Sequence, residues 1–244
     1  MTIGIMQPYF MPYIGYWQLI AAVDTYVVYD DVNFIKRGWI NRNNILLKGE
    51  KKLFSIALHE ASQNKLINEI SIADDFSKLH KTIQMAYAKA PFYAEIMELL
   101  DSIFDYPKHN IALFIDNSIR KVCDYLNIQT NIILSSNIEK DNALKGQDKI
   151  ISICKLLQAD TYINAIGGVE LYDKKVFERN NICLLFLKPE IECYQQFKNE
   201  FVPGLSMIDV LMFCSPKQIR EMLQRYSLIE SPLTKDMASW MLTE

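Results

Sequence analysis

Apolar and polar positions change rhythm several times along this chain, and the rhythm predicts its elements. Residues 2–6 form a short apolar run that stops at Gln7-Pro8, the pattern of a strand ended by a proline. Residues 13–23 place Ile14, Trp17, Leu19, Ile20 and Val23 on a buried stripe, so a helix is expected to begin after Pro12 and end at Asp24. Residues 25–29 are β-branched and aromatic and predict a buried strand. Strand, helix and strand within this opening match the size of a βαβ unit.

Residues 40–47 and 52–58 flank a turn containing Gly49 and predict a β-hairpin. Residues 67–72 alternate and predict an edge strand. Helices follow over 76–88, with Asp74 or Asp75 near the cap, over 92–100, and over 110–126 with Ile111, Ile115, Ile119, Val122 and Leu126 on one stripe. The second half alternates again: strand 131–134, helix 147–157, strand 161–165, helix 171–178 and strand 182–187, with 206–240 expected to be mostly helical. The pattern implies an α/β fold, a mostly parallel sheet with helices on both faces. The whole chain, 1–244, reads as a single α/β domain with a helical insert at roughly 74–127.

Composition narrows the function. Of 244 residues, half are apolar and 23% charged, and the net charge is −3. There is no basic stripe, so nucleic acid is not an expected partner. The first residues lack a positive n-region and a long apolar stretch, and no apolar run is long enough to span a bilayer, so no signal peptide and no membrane insertion are expected. The five cysteines are odd in number and scattered, which reads as buried thiols in a reducing, cytoplasmic compartment. Cys193 is weighed as a nucleophile and assigned to packing, because no histidine is near it in sequence. His59, His80 and His109 have no metal-ligand spacing, and no metal is expected.

Two segments carry candidate chemistry. Gln7-Pro8-Tyr9-Phe10-Met11-Pro12-Tyr13-Ile14-Gly15-Tyr16 holds four aromatics, two prolines and a glycine at the carboxyl end of the first strand, where open α/β sheets bind ligands. Gly15 would allow close approach of a ligand or backbone, and the following helix would aim free N–H groups at an anion such as phosphate. The second segment, Asp30-Asp31 to Asn43, leaves the second strand at the same edge and contains Asn33, Lys36, Arg37, Trp39, Asn41 and Arg42. Arginine forks suit phosphate; Trp39 suits stacking on a sugar or base; Asp30 or Asp31 is the candidate general base. His80, on one helix face with Tyr87, is the reserve base. Gly167-Gly168 lies between a strand and a helix and would suit a phosphate or a sugar hydroxyl. Ser206 reads as a helix N-cap with Asp209 at N3.

The run from Gln7 to Ile20, then Tyr29-Asp-Asp31 and Lys36-Arg-Gly-Trp-Ile-Asn-Arg42, resembles the WbqC-like protein family. Later pieces fit as well: Tyr87-Ala-Lys-Ala-Pro-Phe92, Gly167-Gly-Val-Glu-Leu-Tyr172, and Leu205-Ser-Met-Ile-Asp209. The resemblance covers nearly the whole chain and implies work on sugar nucleotides in bacterial surface-polysaccharide (O-antigen) synthesis, as acyl or aminoacyl transfer to the amine of a nucleotide-linked amino sugar. On that reading Asp30 or Asp31 takes the amine proton, Lys36, Arg37 and Arg42 hold the pyrophosphate, and Tyr9, Tyr13, Tyr16 and Trp39 wall the pocket. Gln7 then fixes a sugar hydroxyl or the acyl carbonyl. The partners expected are a sugar nucleotide and, as source of the acyl or aminoacyl group, a carrier-bound thioester (hence an acyl-carrier protein) or CoA. The opening also resembles Rossmann-like nucleotidylyltransferases, with Tyr13-Ile14-Gly15-Tyr16 in place of their His-x-Gly-His. A nucleotidylyltransferase-like or ATP-dependent ligase is therefore an alternative, and a non-enzymatic scaffold of a polysaccharide assembly complex is another.

Overall fold

A computed structural model describes residues 1–230 other than 108 and 199. Strand β1 (Thr2–Met6), helix α1 (Ile14–Ala21) and strand β2 (Thr25–Val28) form the expected opening, with β1 and β2 paired in parallel. Next comes the hairpin of β3 (Arg42–Leu47) and β4 (Glu50–Ser55). Its two-residue turn puts Lys48 at φ 55° and Gly49 at φ 84°, the left-handed pair that matches strand twist. The alternation at 67–72 does not make a full strand. Ile67–Glu69 is a 3-10 turn, and only β6 (Ser71–Ile72) pairs, with β5 (Leu58–His59). Ile67, Ile70 and Ile72 are all buried, so the segment is packed inward rather than split between two faces.

Helices α2 (Ser77–Tyr87), α3 (Tyr93–Phe104) and α4 (Ile111–Leu126) follow. Asp75 Oδ1 accepts from the Ser77 N–H at 3.0 Å near the start of α2, and the Asn110 side chain caps α4. Strand β7 (Asn131–Leu134), helix α5 (Gly146–Leu156), strand β8 (Thr161–Ala165), helix α6 (Lys174–Arg179) and strand β9 (Cys183–Pro189) continue the alternation. Helices α7 (Met207–Phe213) and α8 (Pro216–Met222) come next. The tail is not helical throughout: β10 (Tyr226–Glu230) pairs antiparallel with β9, and expectations beyond 230 lie outside the described residues.

The six-stranded sheet runs β10-β9-β8-β1-β2-β7 and is parallel except for β10. This is an α/β fold with a mostly parallel sheet. Alternate strand residues enter two separate cores. Tyr26, Val28 and Ile163 pack with α1, α4, α7 and α8, while Ile3, Ile5, Val27, Tyr162 and Phe186 pack with α5 and α6. Helices therefore cover both faces. The chain builds outward from β1 through β2 to β7, then returns across the sheet to place β8 on the other side of β1. Among the described residues no helix is long and apolar enough to cross a membrane.

Candidate functional site

The parallel strands all end at one edge, and both sequence-predicted segments leave the sheet there. They meet through the main chain. The Phe10 N–H donates to the Ile40 carbonyl at 3.0 Å, and Asn43 Nδ2 donates to the Met11 carbonyl at 2.7 Å. Met11 is left-handed at φ 45°, which turns the loop back toward α1.

Within the first segment the aromatics divide. Tyr16 is 3% exposed and its hydroxyl donates to the Gln7 carbonyl at 2.8 Å, so it is an internal strut and not a wall open to a ligand. Burial pushes its phenol well above the ordinary tyrosine range. Tyr9 is partly buried against the Tyr16 ring at 5.6 Å, while Tyr13 is 38% exposed. A Cβ on Gly15 would stand 2.5 Å from the Tyr13 ring. Gly15 therefore makes room for Tyr13 over the first turn of α1, where a ligand was expected. Gln7 is half-buried at the end of β1.

The second segment is an arm. Lys36 and Arg37 are exposed, with no side-chain partners among the described residues, and Arg37 is left-handed at φ 60°. Trp39 is 46% exposed. Arg42 is turned inward on its own loop: Nε donates to the Gly38 carbonyl at 2.8 Å, Nη2 donates to the Arg37 carbonyl, and the guanidinium stands 5.7 Å from the Trp39 ring centroid. Asn41 Nδ2 donates to Ile56 O at 2.7 Å and Asn33 Nδ2 to Gln63 O at 2.6 Å, so both asparagines brace the arm.

The two aspartates follow β2, where the Asp30 N–H turns back to the Val28 carbonyl at 3.0 Å, and their side chains meet different partners. Asp30 is 1% exposed. Its oxygens accept from the Ser136 N–H at 2.9 Å, the Ser136 hydroxyl at 2.6 Å and Asn68 Nδ2 at 3.4 Å. Asp31 points to the α5 side, where Oδ2 lies 2.7 Å from Lys140 Nζ and 3.2 Å from Lys149 Nζ. Lys149 also donates to the Asp31 carbonyl at 3.0 Å and stands 5.2 Å from the Tyr29 ring centroid. Burial pushes the Asp31 carboxyl up, but Lys140, the Ser135 hydroxyl and Lys149 more than offset it and hold it below the ordinary carboxylate range. Lys140, Lys149, Ser135 and Ser136 come from beyond residue 130, and no local spacing pointed to them.

His80 sits apart from this cluster in its contacts: Nε2 is 3.0 Å from Asp101 Oδ1, joining α2 to α3. Gly167 and Gly168 lie in the 3-10 turn Ile166–Leu171 after β8, beside β1, with Gly167 exposed and Gly168 buried. Cys123, Cys154 and Cys214 are buried, whereas Cys183 and Cys193 are exposed, so the expectation of buried thiols fails for these two. Burial pushes the Cys123 thiol up to about 12.

Asp209 was expected to serve a helix cap. Ser206 occupies the N-cap position of α7 but makes no side-chain cap, and Asp209 is fully buried. Asp209 accepts from Tyr87 Oη at 2.7 Å, Tyr194 Oη at 2.6 Å and Gln196 Nε2 at 2.7 Å. Burial raises its carboxyl above the ordinary range despite these bonds. Tyr87 Oη also accepts from the Leu46 N–H at 2.8 Å, so the network ties α2, α7 and the hairpin together.

Two cavities lie elsewhere. One of about 430 Å³ is lined by Asp24, Asn127, Thr130, Arg220 and neighbours at the opposite edge of the sheet, and one of about 370 Å³ lies beside α5. Neither is lined by a sequence-predicted site residue.

A model of the WbqC-like protein family matches residues 7–221. The uncharacterized protein Rv1507c of Mycobacterium tuberculosis is 26% identical over 214 residues, which span 86% of this chain and 92% of that protein. No solved structure matches the chain at significance.

Proposed function

This chain belongs to the WbqC-like protein family, and from that premise we propose that it transfers an acyl or aminoacyl group to the amine of a nucleotide-linked amino sugar in bacterial O-antigen or related polysaccharide synthesis. The observation that carries the nucleotide part is the reversal of strand order beside β1. Counted along the chain, the six strands lie 3-2-1-4-5-6, the order of Rossmann-like sheets that bind nucleotides across that crevice, outside the carboxyl ends. Gln7 leaves the sheet on one side of the crevice and Gly167-Gly168 on the other. The arm bearing Lys36, Arg37 and Trp39 is bonded to the segment that leaves β1, and offers free cations for a pyrophosphate and a ring for stacking.

The attacking nitrogen must be neutral. Asp31 is a poor base, being held ionised between two lysines. Asp30 is buried but bonded to the hydroxyl of Ser136, itself an exposed residue, so we assign the amine proton to the Ser136–Asp30 pair. The nitrogen then attacks the carbonyl carbon of a thioester, on CoA or an acyl-carrier protein. A C–N bond forms and the C–S bond breaks. The second proton of the nitrogen ends on the leaving thiolate, giving an amide and a free thiol.

The test is incubation of the full chain with nucleotide-linked amino sugars and thioester donors, following product mass and thiol release. A mass-shifted sugar nucleotide with stoichiometric thiol supports the reading. No product with any donor, together with no nucleotide binding by calorimetry, sinks it. The same strand order suits a nucleotidylyltransferase-like or ATP-dependent ligase, which would bind Mg-ATP and release pyrophosphate.

A further inference from the structure

Strand β8 ends beside β1, at the point where the strand order reverses. Its penultimate residue, Asn164, is only 3% exposed, yet its carboxamide is half used. Oδ1 accepts from the Ala165 N–H at 2.8 Å, which turns the side chain back along the strand end. Nδ2 has no hydrogen-bond partner among the described residues. It also differs from Gln18 Oε1 and Ser206 Oγ, which are unpartnered and sealed from solvent. Nδ2 therefore reaches solvent at the strand end, as a donor that no group of the described chain takes up and that an acceptor from outside can use.

The neighbouring glycines point the same way. Gly168 is not left-handed, so its backbone does not require glycine. The space beside it is used instead: a Cβ there would stand 2.3 Å from Nδ2, the far end of the Asn164 side chain, and would push it aside. At Gly167 a Cβ would meet nothing within 4 Å, so the space in front of the turn is open. Gly168 thus leaves room for the Asn164 amide, and a side chain at Gly168 would displace it.

We propose that Asn164 is a ligand-binding residue whose Nδ2 donates to a phosphoryl oxygen of a nucleoside diphosphate, free or carried on a sugar, in the crevice between β1 and β8. This rests on the nucleotide-binding reading above and names a contact that it did not contain. Asn164→Asp is the informative change, because it keeps an oxygen for the Ala165 N–H and replaces the donor with an acceptor that repels phosphate.

The experiment is calorimetric titration of the full chain with UDP, GDP, CDP and dTDP as probes. The native protein, Asn164→Asp and Gly168→Ala are compared, with thermal unfolding of each as a control for folding. The expected result is binding of at least one diphosphate by the native chain, weakened about tenfold or more in Asn164→Asp and weakened in Gly168→Ala. In ¹⁵N spectra, the Asn164 side-chain amide pair, identified by its loss in Asn164→Asp, should shift when the probe is added. Binding by the native chain that both variants retain within twofold, with an unmoved Asn164 amide, would overturn the assignment of Asn164 alone. Absence of binding by the native chain would overturn the nucleotide reading and this contact with it. If Asn164→Asp fails to fold, Gly168→Ala and the amide shift decide the matter.

Discussion

The Asp31 carboxylate and the Lys140 ammonium meet at 2.7 Å with side chains 9% and 2% exposed. Lys149 Nζ lies 3.2 Å from the same oxygen, so Asp31 answers two buried lysines. Breaking a buried pair costs about 3–5 kcal/mol when it leaves a charge without its partner. Asp31→Asn does this to both lysines and is expected to lower unfolding stability by roughly that amount, read from urea denaturation midpoints. Lys140→Met leaves Asp31 paired with Lys149 and should cost less. A loss in Lys140→Met as large as that in Asp31→Asn would show that the pairing is not the cause.

The two buried carboxyls give opposite pH signatures. Asp31 has a folded pKa below its unfolded value, so its contribution is present above the unfolded value of about 3.9 and is lost as pH falls through the folded one. Asp209 has a raised folded pKa, so its contribution is present below about 3.9 and is lost as pH rises through the folded value. Denaturation of the native chain and of Asp31→Asn between pH 3 and 7 should show a shallower acid-side loss in the variant.

The three cations of the arm should separate in behaviour. Lys36→Ala and Arg37→Ala touch no partner and should change stability by less than about 0.5 kcal/mol while weakening sugar-nucleotide binding. Arg42→Ala removes the bond to Gly38 and the contact with Trp39, so it should loosen the arm and alter tryptophan emission as well. Unchanged binding in the Lys36, Arg37 double variant would detach the arm from the site.

Tyr87 Oη accepts from Leu46 and donates to Asp209 in one buried position. Tyr87→Phe leaves both groups short of a partner and should cost about 1–3 kcal/mol by denaturation, with little change in overall helix content. A loss below about 0.5 kcal/mol would mean that water or a neighbour takes over both bonds.

Periodicity was enough to place β1, α1, β2, the hairpin at Gly49 and the alternation that gives the parallel sheet, because each of these is a local pattern. It failed for β10, a short edge strand directly after a helix, whose pairing with β9 is decided by distant residues. The candidate segments at 7–16 and 30–43 do share an edge, but composition could not say which aromatic is a strut. Tyr16 and Tyr13 look alike in sequence and differ through one hydrogen bond and one glycine. Asp30 and Asp31 became distinguishable only through Ser136, Lys140 and Lys149, which lie more than 100 residues away in the chain. Asp209 was hidden for the same reason, since Tyr87 stands 122 residues from it.

Hydrogen–deuterium exchange with and without a saturating nucleoside diphosphate, UDP first, tests the location of the site most directly. Protection is expected at residues 7–13, 36–42 and 164–168, around the crevice where the strand order turns. Protection confined to the opposite edge, around Asp24, Asn127 to Thr130 and Arg220, would contradict the account.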